Sequence, residues 1–199
     1  MAEESVNQQP TLPPEVAVDY LSDQLRVENT ATAASAIDAL NKAALNSTSI
    51  EIRVRAIRAL GDYASNWSGY DRGSSGELRR LQAKARDRIA SISFGSDQAE
   101  VQGAALAGLA QSLKTPDYSE GPNLQQTVQL ITIIGATSGH MEVKNTAIQI
   151  LGTYGSKGET HFGYPGGTGY KNTIDQANAA IGVISKMSDI PQPSTSDVK

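Results

Sequence analysis

The sequence predicts an all-α protein: a short α-solenoid of about three helical hairpins with an added helix at each end. Two observations lead there. Three stretches repeat one pattern, EIRVRAIRALGDY from Glu51, EVQGAALAGLAQS from Glu100 and EVKNTAIQILGTY from Glu142, with starts 49 and 42 residues apart. Each of them follows another stretch with helix periodicity, so the repeating unit is a pair of helices.

The elements follow in chain order. PEVAVDYLSDQL from Pro14 predicts an opening helix. TAASAIDALNKAAL from Thr32, ELRRLQAKARDRIASISF from Glu77 and NLQQTVQLITIIGATS from Asn123 predict the first helix of each pair, and Thr173 to Ser188 predicts a closing one. Val128 to Ile134 is rich enough in β-branched residues for a strand, but it lies inside a helix-period pattern where a strand has no partner. Counting from each leading glutamate, Ile52, Val101 and Val143 stand at offset 1, Ala56, Ala105 and Ala147 at offset 5, and Leu60, Leu109 and Leu151 at offset 9. At 100° per residue, offsets 1, 5, 8, 9 and 12 share an apolar arc, while 0, 4, 7 and 11 lie opposite. Thr48 and Asp97 precede their glutamates by three residues, and Ser74 precedes Glu77 likewise, which is capping-box spacing; Gly139 holds the same place before Glu142. Arg53, Gln102 and Lys144 at offset 2 are expected to pack their stems and reach a carbonyl or acid of the adjoining repeat. The repeat domain is expected over residues 13–190, with disordered tails at 1–12 and 191–199 on their Pro, Gln and Ser content.

Ile52, Arg53, Ala56, Ala59, Leu60 and Gly61 spell a V-R-x-x-A-x-x-A-L-G pattern that resembles the second helix of HEAT repeats. Val143, Lys144, Ala147, Leu151 and Gly152 follow it with Lys for Arg, and the middle copy departs at Gln102 and Ala110. The resemblance covers roughly residues 32 to 188 and implies a HEAT-like α-solenoid. It leaves function open between a binding scaffold, a nucleic-acid binder of the kind found among HEAT-like DNA glycosylases, and a lyase or chaperone for a prosthetic group.

Composition narrows the chemistry. The 199 residues are 39% apolar and 19% charged, in the range of globular proteins. No apolar run reaches the roughly 18 residues that span a bilayer. The amino terminus reads as no signal peptide, which makes cytoplasm the default compartment and an exported or periplasmic one the alternative if a leader was removed. Cysteine is absent, and His140 and His161 are the two histidines, so thiolate sites and sites with three histidine ligands are excluded within one chain. Glu159 and His161 could form an acid/base pair, but the spacing places no third group to orient them. No metal, cofactor or enzymatic activity is expected.

Charge is uneven. Residues 1–50 hold seven acids and two bases; residues 51–88 hold nine bases and five acids. Arg80, Lys84 and Arg88 form an i, i+4 stripe with Arg79 and Arg86 nearby, expected to be a solvated face partly balanced by Asp87. The alternative is an acidic partner, which could be the acidic start (Glu3, Glu4, Glu15, Asp19, Asp23) in cis or from a second copy. Offsets 4, 7 and 11 read Arg55, Arg58 and Asp62, then Ala104, Ala107 and Gln111, then Thr146, Gln149 and Thr153, a face basic at one end only. Nucleic acid would ask for positive charge along the whole track.

Six of the ten aromatic residues lie in the loops that follow the second helices: Trp67, Tyr70, Tyr118, Phe162, Tyr164 and Tyr170. Aromatic rings set among Gly and Ser suit recognition. The last of these loops, from Gly155 to Lys171, has six glycines and is expected to be ordered by a partner. Its GYPGGTGYK lacks the G-x-x-x-x-G-K-[ST] spacing of a phosphate loop. The sequence therefore points to a non-enzymatic scaffold that binds a protein through these aromatics, with Arg55, Arg58, Gln149 and Thr153 as a second surface.

Overall fold

The structure, a computed structural model, describes residues 13–27, 29–65, 75–113, 121–156 and 168–188. Among them the chain forms eight helices and no strand: α1 (Pro14–Gln24), α2 (Thr30–Asn46), α3 (Ile50–Ser65), α4 (Ser75–Phe94), α5 (Ala99–Ser112), α6 (Gly121–Thr137), α7 (Met141–Ser156) and α8 (Thr168–Ser188). The stretch Val128 to Ile134 is helical, within α6.

The helices lie in two layers. In one, α1 lies against α3, α3 against α5 and α5 against α7; in the other, α2 lies against α4, α4 against α6 and α6 against α8. Every helix also touches its neighbours in sequence, which joins the layers. One buried cluster runs between them from Val18 to Ile184. The aligned residues supply it: Ala56, Ala105 and Ala147, like Leu60, Leu109 and Leu151, are fully buried. Each leucine removed from water contributes roughly 2–3 kcal/mol, and the alanines let the layers approach. The seam between α3 and α5 is closest at Gly61, where a Cβ would lie 2.8 Å from the Gly108 Cα, so backbone rests on backbone.

The turns inside the pairs repeat one hydrogen-bonding scheme. Four residues before each leading glutamate stands a serine whose hydroxyl accepts from a backbone N–H two residues on: Ser47 from Ser49 (3.0 Å), Ser96 from Gln98 (3.2 Å) and Ser138 from His140 (3.1 Å). The first helical carbonyls are then those of Ser49, Gln98 and His140. The capping-box expectation for Thr48 and Asp97 is thereby corrected by one residue, because the serine turn moves the helix start forward; Ser74 lies outside the described residues. The offset-2 expectation is corrected too. Arg53 Nε donates to the Ser47 carbonyl (2.9 Å) and Gln102 Nε2 to the Ser96 carbonyl (2.8 Å), both in their own turn, and Lys144 is buried. Gln102 alone also reaches onward, its Oε1 accepting from the Ser138 hydroxyl at 2.6 Å.

Helix α8 begins at Thr168, five residues earlier than the periodicity predicts, and α7 continues through Gly155 and Ser156. Both ends of the Gly155–Lys171 segment are therefore helical. Local glycine content argued for a loop there, but the pairing of α7 with α8 offsets the propensity cost of roughly 1 kcal/mol per glycine.

Candidate functional site

The polar face of the second helices has its expected composition and an altered electrostatic balance. Arg58, Asp62, Ala107, Gln149 and Thr153 are exposed; Arg55, Ala104 and Thr146 are half-buried. Helix α5 stands between α3 and α7, so Arg55 and Arg58 are separated from Gln149 and Thr153 by a strip of small side chains. Arg55 is held by carboxylates, Glu51 Oε1 at 2.7 Å on its own helix and Asp19 Oδ2 of α1 at 3.8 Å. Arg58 makes no ion pair among the described residues and is the free cation of this face. Thr153 donates its hydroxyl to the Gln149 backbone carbonyl (2.8 Å), and Gln149 is itself exposed.

Beside Arg58, α1 and α3 enclose an open cleft of about 350 Å³, with Arg26 and Asp19 on one wall and Arg58, Asp62 and Tyr63 on the other. Burial, reinforced by the negative charge of Glu77, pushes the Tyr63 phenol above its ordinary value. Ser22 in the cleft donates to the Val18 carbonyl (2.7 Å), a helix back-bond that occupies its proton. The cleft therefore presents guanidinium and carboxylate groups suited to recognition of a polar chain.

The basic stripe of α4 is largely spent inside the molecule. Lys84 Nζ lies 2.6 Å from Asp38 Oδ2 and Arg88 Nη2 lies 3.0 Å from Asp38 Oδ1, so one carboxylate of α2 holds two of its three members. The Lys84 hydrogen bond above all, with that of Arg88, pulls the Asp38 carboxyl below its usual value against the opposing effect of burial. Arg86 is not on the surface as expected. It is buried, donating from Nη1 to the Ala64 carbonyl at the end of α3 (3.4 Å) and from Nε to Gln126 of α6 (3.5 Å). Gln126 in turn donates to Asp87 (2.7 Å), which relays the expected balance of charge through an amide. A helix end and an amide explain why a cation is tolerated in the core. Of the acidic start, Asp19 meets α3 through Arg55, while Glu3 and Glu4 lie outside the described residues.

Of the loop aromatics, Trp67, Tyr70, Tyr118, Phe162 and Tyr164 lie outside the described residues, as do Glu159 and His161. Tyr170 falls in the first turn of α8 and so belongs to a helix, not a loop. His140 is half-buried at the start of α7, with Nε2 2.6 Å from the Asp97 carbonyl of the preceding turn.

The edge made by the turns inside the pairs was missed from sequence. It exposes Leu45, Ile50, Phe94 and Met141. The signal was present: Leu45 and Phe94 both stand six residues before a leading glutamate, and Ile50 and Met141 one residue before. Taken one helix at a time, each reads as an end of the apolar arc.

No protein-family model matches this chain, and no curated protein does. Five chains of solved structures match. One, described as "DHF46 filament", has a TM-score of 0.63 at 15% identity, over 88% of this chain and 98% of its own. At that identity the likeness is one of fold alone. No helix among the described residues is long and apolar enough to cross a membrane.

Proposed function

We propose that this chain is a HEAT-like α-solenoid of about three helical hairpins with added flanking helices, working as a non-enzymatic scaffold that binds a protein partner. The observation that supports it most is the side-by-side layering of α3, α5 and α7, which puts equivalent solvent-facing residues in rows. Arrays of this kind offer long surfaces, and binding is what such surfaces do best. The resemblance of Ile52 to Gly61 to HEAT second helices supports the same reading. Arg58, Asp62, Gln149 and Thr153 are exposed polar contacts on the inner face, with Arg55 held back by Glu51 and Asp19. The loop aromatics remain part of the proposal as a second contact line.

Nucleic-acid binding draws less support. Lys84 and Arg88 share the one carboxylate of Asp38 and Arg86 is buried, so the exposed Arg58 and Arg80 do not make the continuous cationic track that phosphates need. A photo-reactive side chain at position 58 or 153, introduced in the native organism, tests the reading. The scaffold predicts a discrete protein adduct from both positions. Adducts with nucleic acid, or none above the yield from a residue on the outer face, overturn it.

A further inference from the structure

The turn edge is the surface the scaffold reading does not absorb. Leu45 is 40% exposed, Ile50 37%, Phe94 52% and Met141 54%, so each copy of the pair shows water at least one large apolar side chain. The three turns form one continuous edge. A Cβ on Gly95 would lie 3.0 Å from Leu45 Cδ2, which joins the first turn to the second. Ser138 donates to Gln102 and the His140 ring meets the Asp97 carbonyl, both at 2.6 Å, which joins the second to the third. These contacts hold the apolar residues in a row without spending them.

The exposed charge beside the second and third turns is acidic. Glu51, Asp97, Glu100 and Glu142 are all exposed, and the last three make no ion pair among the described residues; Glu51 is held by Arg55. Glutamate in a first turn has the ordinary use of complementing a helix dipole. That accounts for the three glutamates but not for Asp97, which precedes its helix, nor for the apolar row. The same edge carries the C-terminal ends of α2, α4 and α6, and none of them has a basic residue in its last turn. Carboxylates and helix C-termini both favour cations, and at the first turn the Arg53 guanidinium on the Ser47 carbonyl already supplies one. Lys42, exposed one turn back on α2, and Arg53, half-buried in the first turn, are countering bases at that end of the edge.

We propose that this edge docks a basic amphipathic helix of the partner protein, its apolar stripe on Leu45, Ile50, Phe94 and Met141 and its lysines or arginines on Asp97, Glu100 and Glu142. The proposal rests on the scaffold reading and names the partner's chemistry. Spacing fits a helix: neighbouring helices of a layer stand about 8–10 Å apart, and residues seven apart on a helix recur about every 10.5 Å. An acidic ligand, nucleic acid included, would be repelled here. A second copy would bring the same acids to the same acids.

The test uses the full chain and two synthetic amphipathic helices with leucine at every seventh position, one flanked by lysines and one by glutamates, followed by fluorescence polarisation at physiological salt. The lysine peptide should bind at least about tenfold more tightly than the glutamate peptide. Phe94→Ser with Met141→Ser should weaken it by at least about tenfold, as loss of central apolar anchors does, with a small shift in thermal midpoint because about half of each side chain is already in water. Glu100→Lys with Glu142→Lys should reverse the preference between the peptides. Equal binding of both peptides, no binding, or binding indifferent to Phe94→Ser overturns the proposal. So does a dimer in sedimentation that Phe94→Ser dissolves, since the occupant is then a second copy. Failure here with adducts persisting from positions 58 and 153 removes the edge and leaves the scaffold; loss of those adducts with peptide binding intact removes the inner face alone.

Discussion

Gly61 and Gly152 hold the same place in their helices, ten residues past the leading glutamate, and meet opposite surroundings. At Gly61 a Cβ would run into the Gly108 backbone; at Gly152 it would meet only Ile181 Cδ1 at an ordinary 3.8 Å. The difference lies in the neighbour. Helix α3 rests on α5, whose offset-8 residue is Gly108, whereas Gly152 faces a side chain of α8. One sequence motif thus serves a backbone seam in the first half of the molecule and an ordinary side-chain seam in the last. A repeat pattern states that a position recurs, and the next helix decides what the position is for.

The strongest way to break the first seam is Leu109→Asp. Leu109 is fully buried on α5, and an unpaired carboxylate there costs several kcal/mol, about the whole stability of a domain. Helical circular dichroism at 25 °C should be lost or cooperative melting abolished; a folded variant with a nearly unchanged midpoint refutes the core described here. The comparison itself is sharpened by Gly61→Ala against Gly152→Ala. Overpacking a backbone contact should cost about 1–3 kcal/mol at Gly61. At Gly152 the better helix propensity of alanine should stabilise by up to about 1 kcal/mol. Opposite signs in chemical denaturation are the expected result, and equal signs would erase the distinction between the seams.

The smallest effect belongs to Asp38, which ties α2 to α4 on the outside of the first half. Its carboxyl is depressed in the folded state, so its contribution is complete above the unfolded value of about 3.9 and is lost as pH falls through the lower folded value. Half-exposed as it is, Asp38→Asn should cost less than about 1 kcal/mol at pH 7. The gap between wild type and variant should narrow steadily as pH falls below about 3.9. A gap that does not narrow with falling pH would assign the cost to packing and not to Lys84 and Arg88.

The inner face shows how far a pattern carries. Exposure of Arg58, Gln149 and Thr153 follows from helical period alone, since offsets 7 and 11 point away from any face that buries offset 9. The Glu51 partner of Arg55 follows from i, i+4 spacing, but its second carboxylate, Asp19, stands thirty-six residues away, and no local spacing encodes that contact. Arg86 is the sharper case. Among Arg79, Arg80, Lys84 and Arg88 it looks by composition like one more surface base, yet two residues from Lys84 it sits about 200° around the helix, on the opposite face, where Ala64 and Gln126 converge.

By itself the sequence determined the helical class and the buried arc of each second helix, because hydrophobic period and side-chain size act within a few residues of chain. Tertiary structure alone decided the rest. It chose which glycine meets backbone, which arginine is buried and which carboxylate binds Lys84. It also brought Leu45, Ile50, Phe94 and Met141 to one edge beside Asp97, Glu100 and Glu142. Those outcomes depend on where a neighbouring helix comes to rest, and that is set by the summed packing of two layers rather than by any one helix.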